Sequence, residues 1–257
     1  MATNFAFMNS WIETPPVLSS LLESIGSPAD GVQIWASHLE ALSPAELDQL
    51  NALLDPSEHA RAARFHFDRD RRHYVASRGF LRHLVASALD QPAPALVFEY
   101  GPHGKPAISS ATLAGRTLRF NLSHSAGWAV FALCWDREVG IDLESAVRLE
   151  RDPADLAALA MRVLSARELA IWQALPDAAS RQAAFLRAWT RKEAYAKAIG
   201  HGLFEQLIRN EVALDAAAPE PSLTLASTQT SGETWIIHDL SAPDGFAAAL
   251  AVEQKLL

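Results

Sequence analysis

The stretch WTRKEAYAK at residues 189–197 ends a long predicted helix around which the rest of the chain can be interpreted. Apolar residues recur there at helical spacing, and no glycine or proline interrupts the helix before Gly200, its expected end. Glu193 and Lys197 lie four residues apart and therefore share one face of the helix with Trp189. Such a pair is either a weak surface ion pair or, if the aromatic residue marks a buried face, a pair that needs a metal ion or an anion as partner.

Composition limits the possible classes of protein. The chain has 257 residues, of which 49% are hydrophobic and 20% are charged, and its net charge is −8. This length allows one large domain or two small domains with hydrophobic cores. The negative charge argues against nucleic acids and anionic membranes as partners. The single cysteine, Cys134, excludes an intramolecular disulfide and a cysteine-rich zinc site.

The sequence shows no pattern of a secretory signal or of a membrane span. Its N-terminus lacks the basic region and apolar run that a secretory signal requires. The longest apolar stretch, from Phe246 to Val252, is too short to span a bilayer. We therefore expect a cytoplasmic enzyme with neither a membrane nor a nucleic acid as partner.

Local signals predict where several elements begin and where none forms. Residues 1–30 contain two breaks, Pro15-Pro16 and Ser27-Pro28, and are expected to form an irregular N-terminal extension. Ser43 and Ser165 are each followed three residues later by a glutamate, which is the pattern of a capped helix start. From residue 31 onward, runs of predicted helices are followed by runs of predicted strands.

The predicted elements fall into two similar halves. Each half has one long helix, at residues 70–88 and 178–199, together with at least three strands. The two helices also repeat a spacing of aromatic and charged residues, which is either chance or the trace of two similar lobes. In the second case, an N-terminal lobe of residues 31–137 and a C-terminal lobe of residues 138–257 would enclose a cleft.

Two carboxylates stand two residues apart on an apolar predicted strand. The strand reads Val-Gly-Ile-Asp-Leu-Glu from residue 139 to residue 144, so Asp142 and Glu144 project from one face. Two negative charges this close need a cation or hydrogen bonds as compensation. Ligation by oxygen alone fits Mg²⁺ or Mn²⁺ better than zinc. Solvated carboxylates at a sheet edge are the alternative, but the apolar neighbours favour a metal site.

Two short segments offer contacts for a phosphate or a base. Gly104, Lys105 and Pro106 follow a predicted strand, although their spacing and the proline exclude a Walker loop. Ser123 and His124 lie between two predicted strands. Adjacent residues of an extended chain point to opposite faces and share no proton, so a hydrolase pair is disfavoured. As a hydroxyl and an imidazole they suit contacts to a phosphate.

Arginines are concentrated in one part of this acidic chain. We expect one to three of them to touch an anionic ligand and the others to form a solvated face. They are Arg61, Arg64, Arg69, Arg71, Arg72, Arg78 and Arg82. The nearby His59, His66 and His73 lack the neighbours of a metal site and are interpreted as surface residues.

These motifs occur in one order along the chain and are more specific together than singly. The series is Pro56…Arg61-Ala62-x-Arg64-Phe65, Gly104-Lys105-Pro106, Phe120-Asn121-Leu122-Ser123-His124-Ser125, Val139-Gly140-Ile141-Asp142-Leu143-Glu144 and Trp189-x-x-Lys192-Glu193-Ala194-x-x-Lys197. It resembles the Sfp-type 4′-phosphopantetheinyl transferases, specifically the subgroup with Trp and Lys-Glu-Ala in the last motif. The resemblance extends from about Val32 to the C-terminus and leaves out residues 1–30.

The resemblance implies a fold and a reaction. Members of this family are α/β (α+β) monomers of two similar lobes, each a small, mostly antiparallel sheet with a long helix packed on it. The active site lies in the cleft between the lobes. The family transfers the 4′-phosphopantetheine arm of coenzyme A to a serine of an acyl, peptidyl or aryl carrier protein, with Mg²⁺ as cofactor and with release of 3′,5′-ADP.

The resemblance also implies roles for individual residues near the reacting atoms. Asp142, Glu144 and Glu193 match the magnesium-binding acids of the family. Glu193 would in addition take the proton of the attacking serine, directly or through water. Lys197 matches a lysine near the pyrophosphate, where it would meet the charge that develops on the leaving phosphate.

A second group of residues matches contacts to coenzyme A. It comprises Arg61, Gly104, Lys105, Pro106, Ser123, His124 and Lys197. Some relatives have a lysine where this chain has Glu58, and Arg78 is the expected substitute for that contact. The carrier protein is expected to meet a positive patch formed by Arg148, Arg151, Arg162 and Arg167, or else hydrophobic residues such as Leu156 and Met161.

Two other functions stay open from the sequence. One is a magnesium-dependent pyrophosphohydrolase that acts on free nucleotides. The other is a catalytically inactive coenzyme A-binding module, against which the complete set of acids argues. The sequence does not decide which carrier protein is served, whether the pathway is primary or secondary metabolism, or whether acylated coenzyme A is accepted.

Overall fold

The computed structural model describes residues 20–25, 27, 29–101, 105–108, 111–149, 153–200, 210–214 and 234–254. Within them the chain forms helices α1 (Pro44–Asn51), α2 (Pro56–Ala62), α3 (Asp68–Leu89), α4 (Pro153–Val163), α5 (Ala166–Gln173) and α6 (Ala178–Ile199). The strands are β1 (Glu23–Ile25), β2 (Val32–His38), β3 (Phe98–Tyr100), β4 (Pro106–Ile108), β5 (Thr112–Leu113), β6 (Arg116–Ser125), β7 (Trp128–Trp135), β8 (Val139–Ser145), β9 (Thr234–Leu240) and β10 (Phe246–Gln254). No described helix has the length and apolar character needed to cross a membrane.

The helix starts follow the predicted capping signals. Ser43 Oγ accepts a hydrogen bond from the backbone N–H of Glu46, and the carboxylate of Glu46 accepts one from the backbone N–H of Ser43 at 2.7 Å. The same reciprocal arrangement begins α2 and α5. The long helix predicted at residues 178–199 is confirmed as α6. The sequence of residues 222–226 predicts a further strand, but these residues lie outside the described ones.

Three antiparallel sheets carry the strands. The largest has the order β1-β2-β7-β6-β5, the second has the order β8-β10-β9, and the third pairs β3 with β4. The prediction that residues 1–30 are irregular is wrong for Glu23–Ile25, which pairs with β2 from Glu23 opposite Ala36 to Ile25 opposite Ile34. A strand of three residues is too short to show an alternating pattern, so the sequence carried no signal for it.

The two larger sheets pack face to face between the two long helices. α3 covers one face of the five-stranded sheet, where the rings of Phe80 and Phe131 lie 6.2 Å apart. Ile34 and Ile141 belong to the apolar core between the sheets. α6 packs on the far face of the three-stranded sheet and buries Phe185 there. The predicted α+β class, with small antiparallel sheets and long helices, is confirmed.

The backbone of α6 lies directly against β8. A Cβ atom at Gly140 would stand 2.1 Å from the carbonyl oxygen of Ala194 and 2.4 Å from the amide nitrogen of Ala198. Only glycine therefore allows the helix and the strand to approach this closely. The contact brings Glu193 and Lys197, on the helix, next to Asp142 on the strand.

Candidate active site

A cavity of about 850 Å³ lies between α3, the β6–β7 turn, β8 and α6. The elements of the C-terminal half contribute the predicted acids and lysine to its wall, namely Asp142, Glu144, Glu193 and Lys197. The elements of the N-terminal half contribute five further predicted residues, namely Arg61, Arg78, Pro106, Ser123 and His124. Residues that are far apart in the sequence thus line one cavity.

Two of the acids are buried and incompletely hydrogen bonded. Asp142 is 2% exposed and Glu193 is 5% exposed. In the part of the chain that the structure describes, Asp142 Oδ2 and Glu193 Oε1 have no hydrogen-bond partner. We term these two atoms the acceptor pair. Leaving a buried carboxylate oxygen without a hydrogen-bond donor costs free energy unless a ligand binds it, so the acceptor pair is suited to a cation.

The surroundings of Glu193 favour its protonated form when no cation is present. Burial, and next the negative charge of Asp142, raise the pKa of Glu193 to about 8, while Lys197 acts in the opposite direction and Glu144 adds to the increase. A cation beside these carboxylates would reverse the preference. A carboxyl group with a pKa near neutrality is also suited to accept and release a proton.

Lys197 is fixed in the site by two hydrogen bonds. Its Nζ donates to Asp142 Oδ1 at 2.6 Å and to Ser123 Oγ at 2.8 Å. An ammonium group has three N–H donors, so one remains for a ligand. The lysine side chain is 29% exposed, whereas that of Asp142 is 3% exposed, so the ammonium lies between the buried acid and the open cavity.

The acids are suited to a hard cation whose remaining ligands are water molecules or substrate oxygens. Among the described residues, no group of three or more His, Cys, Asp or Glu side chains forms a ready metal cage. Glu144 Oε2 accepts a hydrogen bond from Ser125 Oγ at 3.1 Å. The acceptor pair therefore offers one oxygen each from Asp142 and Glu193. Such a site suits Mg²⁺, which usually retains water and binds one or two carboxylates together with substrate phosphates.

The arginines of the cavity differ in their partners. Arg61 is exposed and places its guanidinium 5.6 Å from the centre of the Tyr74 ring. Arg78 is only 6% exposed, and both its Nε and its Nη2 donate to Glu58 Oε1, at 2.8 and 2.6 Å. Glu58 also accepts from Arg82 through its other oxygen. A ligand at Arg78 would have to compete with Glu58, so its role as a substitute contact stays a prediction.

Lys192, another charged residue of the 189–197 stretch, is paired with a residue outside the cavity wall. Lys192 is 1% exposed, and its Nζ donates to Glu168 Oε2 at 2.6 Å and to the carbonyl oxygen of Val163 at 3.0 Å. Burial lowers the pKa of Lys192, and the charge of Glu168 opposes this shift. The partner of Lys192 is therefore inside the protein, whereas a metal ion or an anion as partner of Glu193 and Lys197 stays a prediction.

Comparisons with known proteins decide the family. A family model described as the 4′-phosphopantetheinyl transferase superfamily matches residues 138–251, and one described as 4′-phosphopantetheinyl transferase, N-terminal, matches residues 41–135. Over 244 residues the chain is 36% identical to the 4′-phosphopantetheinyl transferase HetI of Nostoc sp., an alignment that covers 95% of this chain and 94% of the relative. The chain belongs to the 4′-phosphopantetheinyl transferase superfamily.

Two further similarities accompany this assignment. The transferase is 33% identical over 177 residues to the 4′-phosphopantetheinyl transferase psf-1 of Bacillus pumilus. This alignment covers 67% of this chain and 70% of the relative. A holo-(acyl-carrier-protein) synthase from Bacillus anthracis, solved in complex with CoA (3′,5′-ADP), aligns with 46% of this chain and 96% of its own. That alignment has 21% identity and a TM-score of 0.37, a likeness too limited to inform the site.

The predicted adenine loop of this transferase is partly described. Gly104 lies outside the described residues, and Pro106 lines the cavity. Lys105 Nζ donates to Glu138 Oε2 at 2.9 Å and to the carbonyl oxygen of Ala198 at 2.7 Å. Lys105 thus joins the two halves of the chain at the end of α6. Its contact with coenzyme A stays a prediction.

Ser123 and His124 were predicted between strands, but they belong to β6. Ser123 is buried and His124 is exposed, as expected for neighbours on an extended strand. Three further lining residues, Tyr74, Tyr100 and Ser125, carry no predicted role. A signal existed for Ser125, because it follows Ser123 by two residues and therefore shares its face of the strand.

Proposed function

We propose that this transferase moves the 4′-phosphopantetheine arm of coenzyme A to a serine of an acyl, peptidyl or aryl carrier protein and releases 3′,5′-ADP. Membership of the superfamily supports this class of reaction. The observation that carries the proposal is the acceptor pair of Asp142 and Glu193 in a large cavity. Arg61 lines the same cavity, and its positive charge and its several N–H donors suit a phosphate.

The acids are proposed to hold Mg²⁺, with Mn²⁺ as an alternative. Asp142 and Glu193 would bind it through the acceptor pair, and Glu144 lies on the same strand face as Asp142. Oxygen donors without nitrogen or sulfur favour these ions over zinc. When bound, the ion would neutralise charge on the pyrophosphate of coenzyme A.

The reaction exchanges one phosphorus–oxygen bond for another. The serine oxygen of the carrier forms a bond to the phosphorus that bears the pantetheine arm. The bond from that phosphorus to the bridging oxygen breaks, and the oxygen leaves with the electron pair on 3′,5′-ADP. Glu193, once ionised, takes the serine proton directly or through water. Lys197 directs its third N–H to the leaving phosphate while Asp142 and Ser123 fix its position.

Residues from the N-terminal half are proposed to bind the nucleotide end of coenzyme A. Arg61 would bind the 3′-phosphate, His124 would contact a further phosphate, and the loop at residues 104–106 would lie along the adenine. The ring of Tyr74 lies beside the guanidinium of Arg61, and its hydroxyl is buried without a partner within the described chain. It would therefore provide an additional donor to the same phosphate.

The carrier protein is proposed to dock on the C-terminal half. Arg162 and Arg167 are exposed there, whereas Arg151 lies outside the described residues. Leu156 was predicted as a hydrophobic alternative, but it is 8% exposed and belongs to the core; Met161 is 60% exposed and stays a candidate. A monomeric state and a cytoplasmic location stay predictions from the sequence.

Replacement of Asp142 by alanine tests the proposed site. The variant should retain cooperative thermal unfolding but lose transfer to an apo-carrier protein at limiting Mg²⁺, because half of the acceptor pair is gone. Near-normal turnover of this variant would show the metal assignment to be wrong.

Transfer assays with and without a carrier protein distinguish the proposed function from the two alternative functions. Release of 3′,5′-ADP from coenzyme A without any carrier would indicate a pyrophosphohydrolase. Binding of coenzyme A without either product would indicate an inactive module.

A further inference from the structure

Three polar side chains on one face of β6 are buried at the boundary between the two large sheets. Asn121, Ser123 and Ser125 are 4%, 5% and 3% exposed. Across the β6–β7 ladder, Asn121 lies opposite Ala132 and Ser123 lies opposite Val130. Ala132 and Val130 belong to the apolar core between the sheets. On this face of the five-stranded sheet, the side chains of β7 are therefore apolar and those of the neighbouring strand β6 are polar.

All three polar side chains are hydrogen bonded to β8, although β6 and β8 belong to different sheets. The hydrogen bonds run from Ile141 N to Asn121 Oδ1 (2.9 Å), from Ser123 Oγ to Asp142 Oδ1 (2.9 Å) and from Ser125 Oγ to Glu144 Oε2 (3.1 Å). They advance in the same direction along both strands. Ser123 and Ser125, two residues apart on β6, are thus paired with Asp142 and Glu144, two residues apart on β8.

The direction of each serine hydroxyl is determined by its second partner. Lys197 Nζ can only donate, and it reaches Ser123 Oγ at 2.8 Å. The backbone N–H of Ser145 can only donate, and it reaches Ser125 Oγ at 3.2 Å. Each hydroxyl accepts from that group, so its own single proton is directed to the carboxylate.

From these contacts we infer that Ser123 and Ser125 are positioning residues for the two carboxylates of β8, an inference that rests on the proposed function. Ser123 and Lys197 hold Asp142 by Oδ1, which leaves Oδ2 as its member of the acceptor pair. Ser125 holds Glu144 by Oε2. Tethering by Oδ1 fixes the orientation of Asp142 Oδ2, and tethering of Glu144 fixes the position of its negative charge, and together these preorganise a cation site.

This role differs from the phosphate contact predicted for Ser123. A serine hydroxyl has one proton. While Ser123 donates that proton to Asp142, it has none to donate to an anionic ligand. The structure therefore assigns the hydroxyl to the metal-binding strand rather than to the phosphate.

Binding of Mn²⁺, followed by electron paramagnetic resonance with and without saturating coenzyme A, tests the inference. Ser123→Ala and Ser125→Ala should each raise the Kd for Mn²⁺ by about tenfold. Their Kd for coenzyme A, measured without divalent metal, should match that of the wild type. Ser125→Cys fills the site with a slightly larger group that donates only weakly, and it replaces Ser125→Ala if Ser125→Ala does not fold.

A matched control removes a buried serine hydroxyl from the same sheet. Ser37 lies on β2 and is 3% exposed, and its Oγ has no hydrogen-bond partner among the residues that the structure covers. Ser37→Ala should leave both constants unchanged.

Four results would overturn the inference. Wild-type affinity for Mn²⁺ in both serine variants would show that the hydroxyls do not position the acids. Weaker binding of metal-free coenzyme A at unchanged Mn²⁺ affinity would assign the hydroxyls to the ligand. A wild-type protein that binds no Mn²⁺, or an Asp142→Ala variant that binds it normally, would contradict the proposed metal site itself and the inference with it.

Discussion

Replacement of Gly140 by alanine perturbs the contact between β8 and α6 that assembles the site. The new Cβ would lie 2.1 Å from the carbonyl oxygen of Ala194, whereas ordinary contact begins at 3.4 Å, so the helix must withdraw by roughly 3.4 − 2.1 = 1.3 Å. Glu193 and Lys197 would move with the helix, while Asp142 stays on the strand. A displacement of about 1 Å at a reacting centre can cost about a hundredfold in rate.

We therefore expect Gly140→Ala to lower single-turnover transfer by about a hundredfold. Its free energy of unfolding in urea should fall by about 1–3 kcal/mol, the usual cost of overpacking. Affinity for metal-free coenzyme A should fall less than turnover does, because Arg61 and Tyr74 belong to helices of the N-terminal half and do not move with α6.

A second glycine provides the matched control. A Cβ at Gly79 would lie 2.7 Å from both Cβ and the carbonyl oxygen of Leu50, so Gly79→Ala also overpacks a helix, but it does so between α3 and α1. It should lose stability and keep the turnover of the folded protein. The reasoning fails if folded Gly140→Ala turns over normally, or if Gly79→Ala loses as much activity.

Four other predictions concern single residues or pairs. Glu193→Gln should lower turnover by at least about a hundredfold at nearly unchanged coenzyme A affinity, since the amide keeps the shape but not the basicity. Calorimetry measures the affinity, single-turnover rates measure the chemical step, and unchanged turnover would exclude Glu193 as the base. Lys105→Met and Glu138→Gln should affect unfolding non-additively, with a coupling of at most about 1 kcal/mol for this partly exposed pair; strictly additive values in a double-mutant cycle would show that the contact contributes nothing. Burial lowers the pKa of His83 from its ordinary 6.5, so the stability that its neutral form contributes is present above pH 6.5 and is lost as the pH falls through the lowered pKa. Urea unfolding at several pH values should show a flatter dependence for His83→Leu, and an unchanged slope would refute this. Arg162→Glu should raise the KM for the carrier protein and not that for coenzyme A, and two unmoved constants would place the docking surface elsewhere.

Local signals explain why most helices were predictable. The capping box at Ser43 and Glu46 and the uninterrupted apolar spacing of α6 act within a few residues, so they are visible in the sequence. The shared face of Asp142 and Glu144 follows from the two-residue period of a strand, and the cavity wall contains both. These parts needed no knowledge of distant contacts.

Partnerships across the fold were not predictable in this way. Lys192 and Glu193 are adjacent and charged, yet the partner of Lys192 is Glu168, 24 residues away. Lys105 contacts the carbonyl oxygen of Ala198 across 93 residues. Such pairings depend on how the elements pack, and packing also decides which oxygen of each acid is left in the acceptor pair. No pattern in the sequence encodes either of them directly.

Carrier modification and 3′,5′-ADP release, measured in one reaction, test the central claim most directly. The wild type and Asp142→Ala are each incubated with coenzyme A, Mg²⁺ and a panel of apo acyl, peptidyl and aryl carrier proteins. Intact mass quantifies the modified carrier, and chromatography quantifies 3′,5′-ADP. We predict equal amounts of both products with at least one carrier for the wild type, and neither product for the variant. Release of 3′,5′-ADP without a modified carrier, or full modification by Asp142→Ala, would contradict the account.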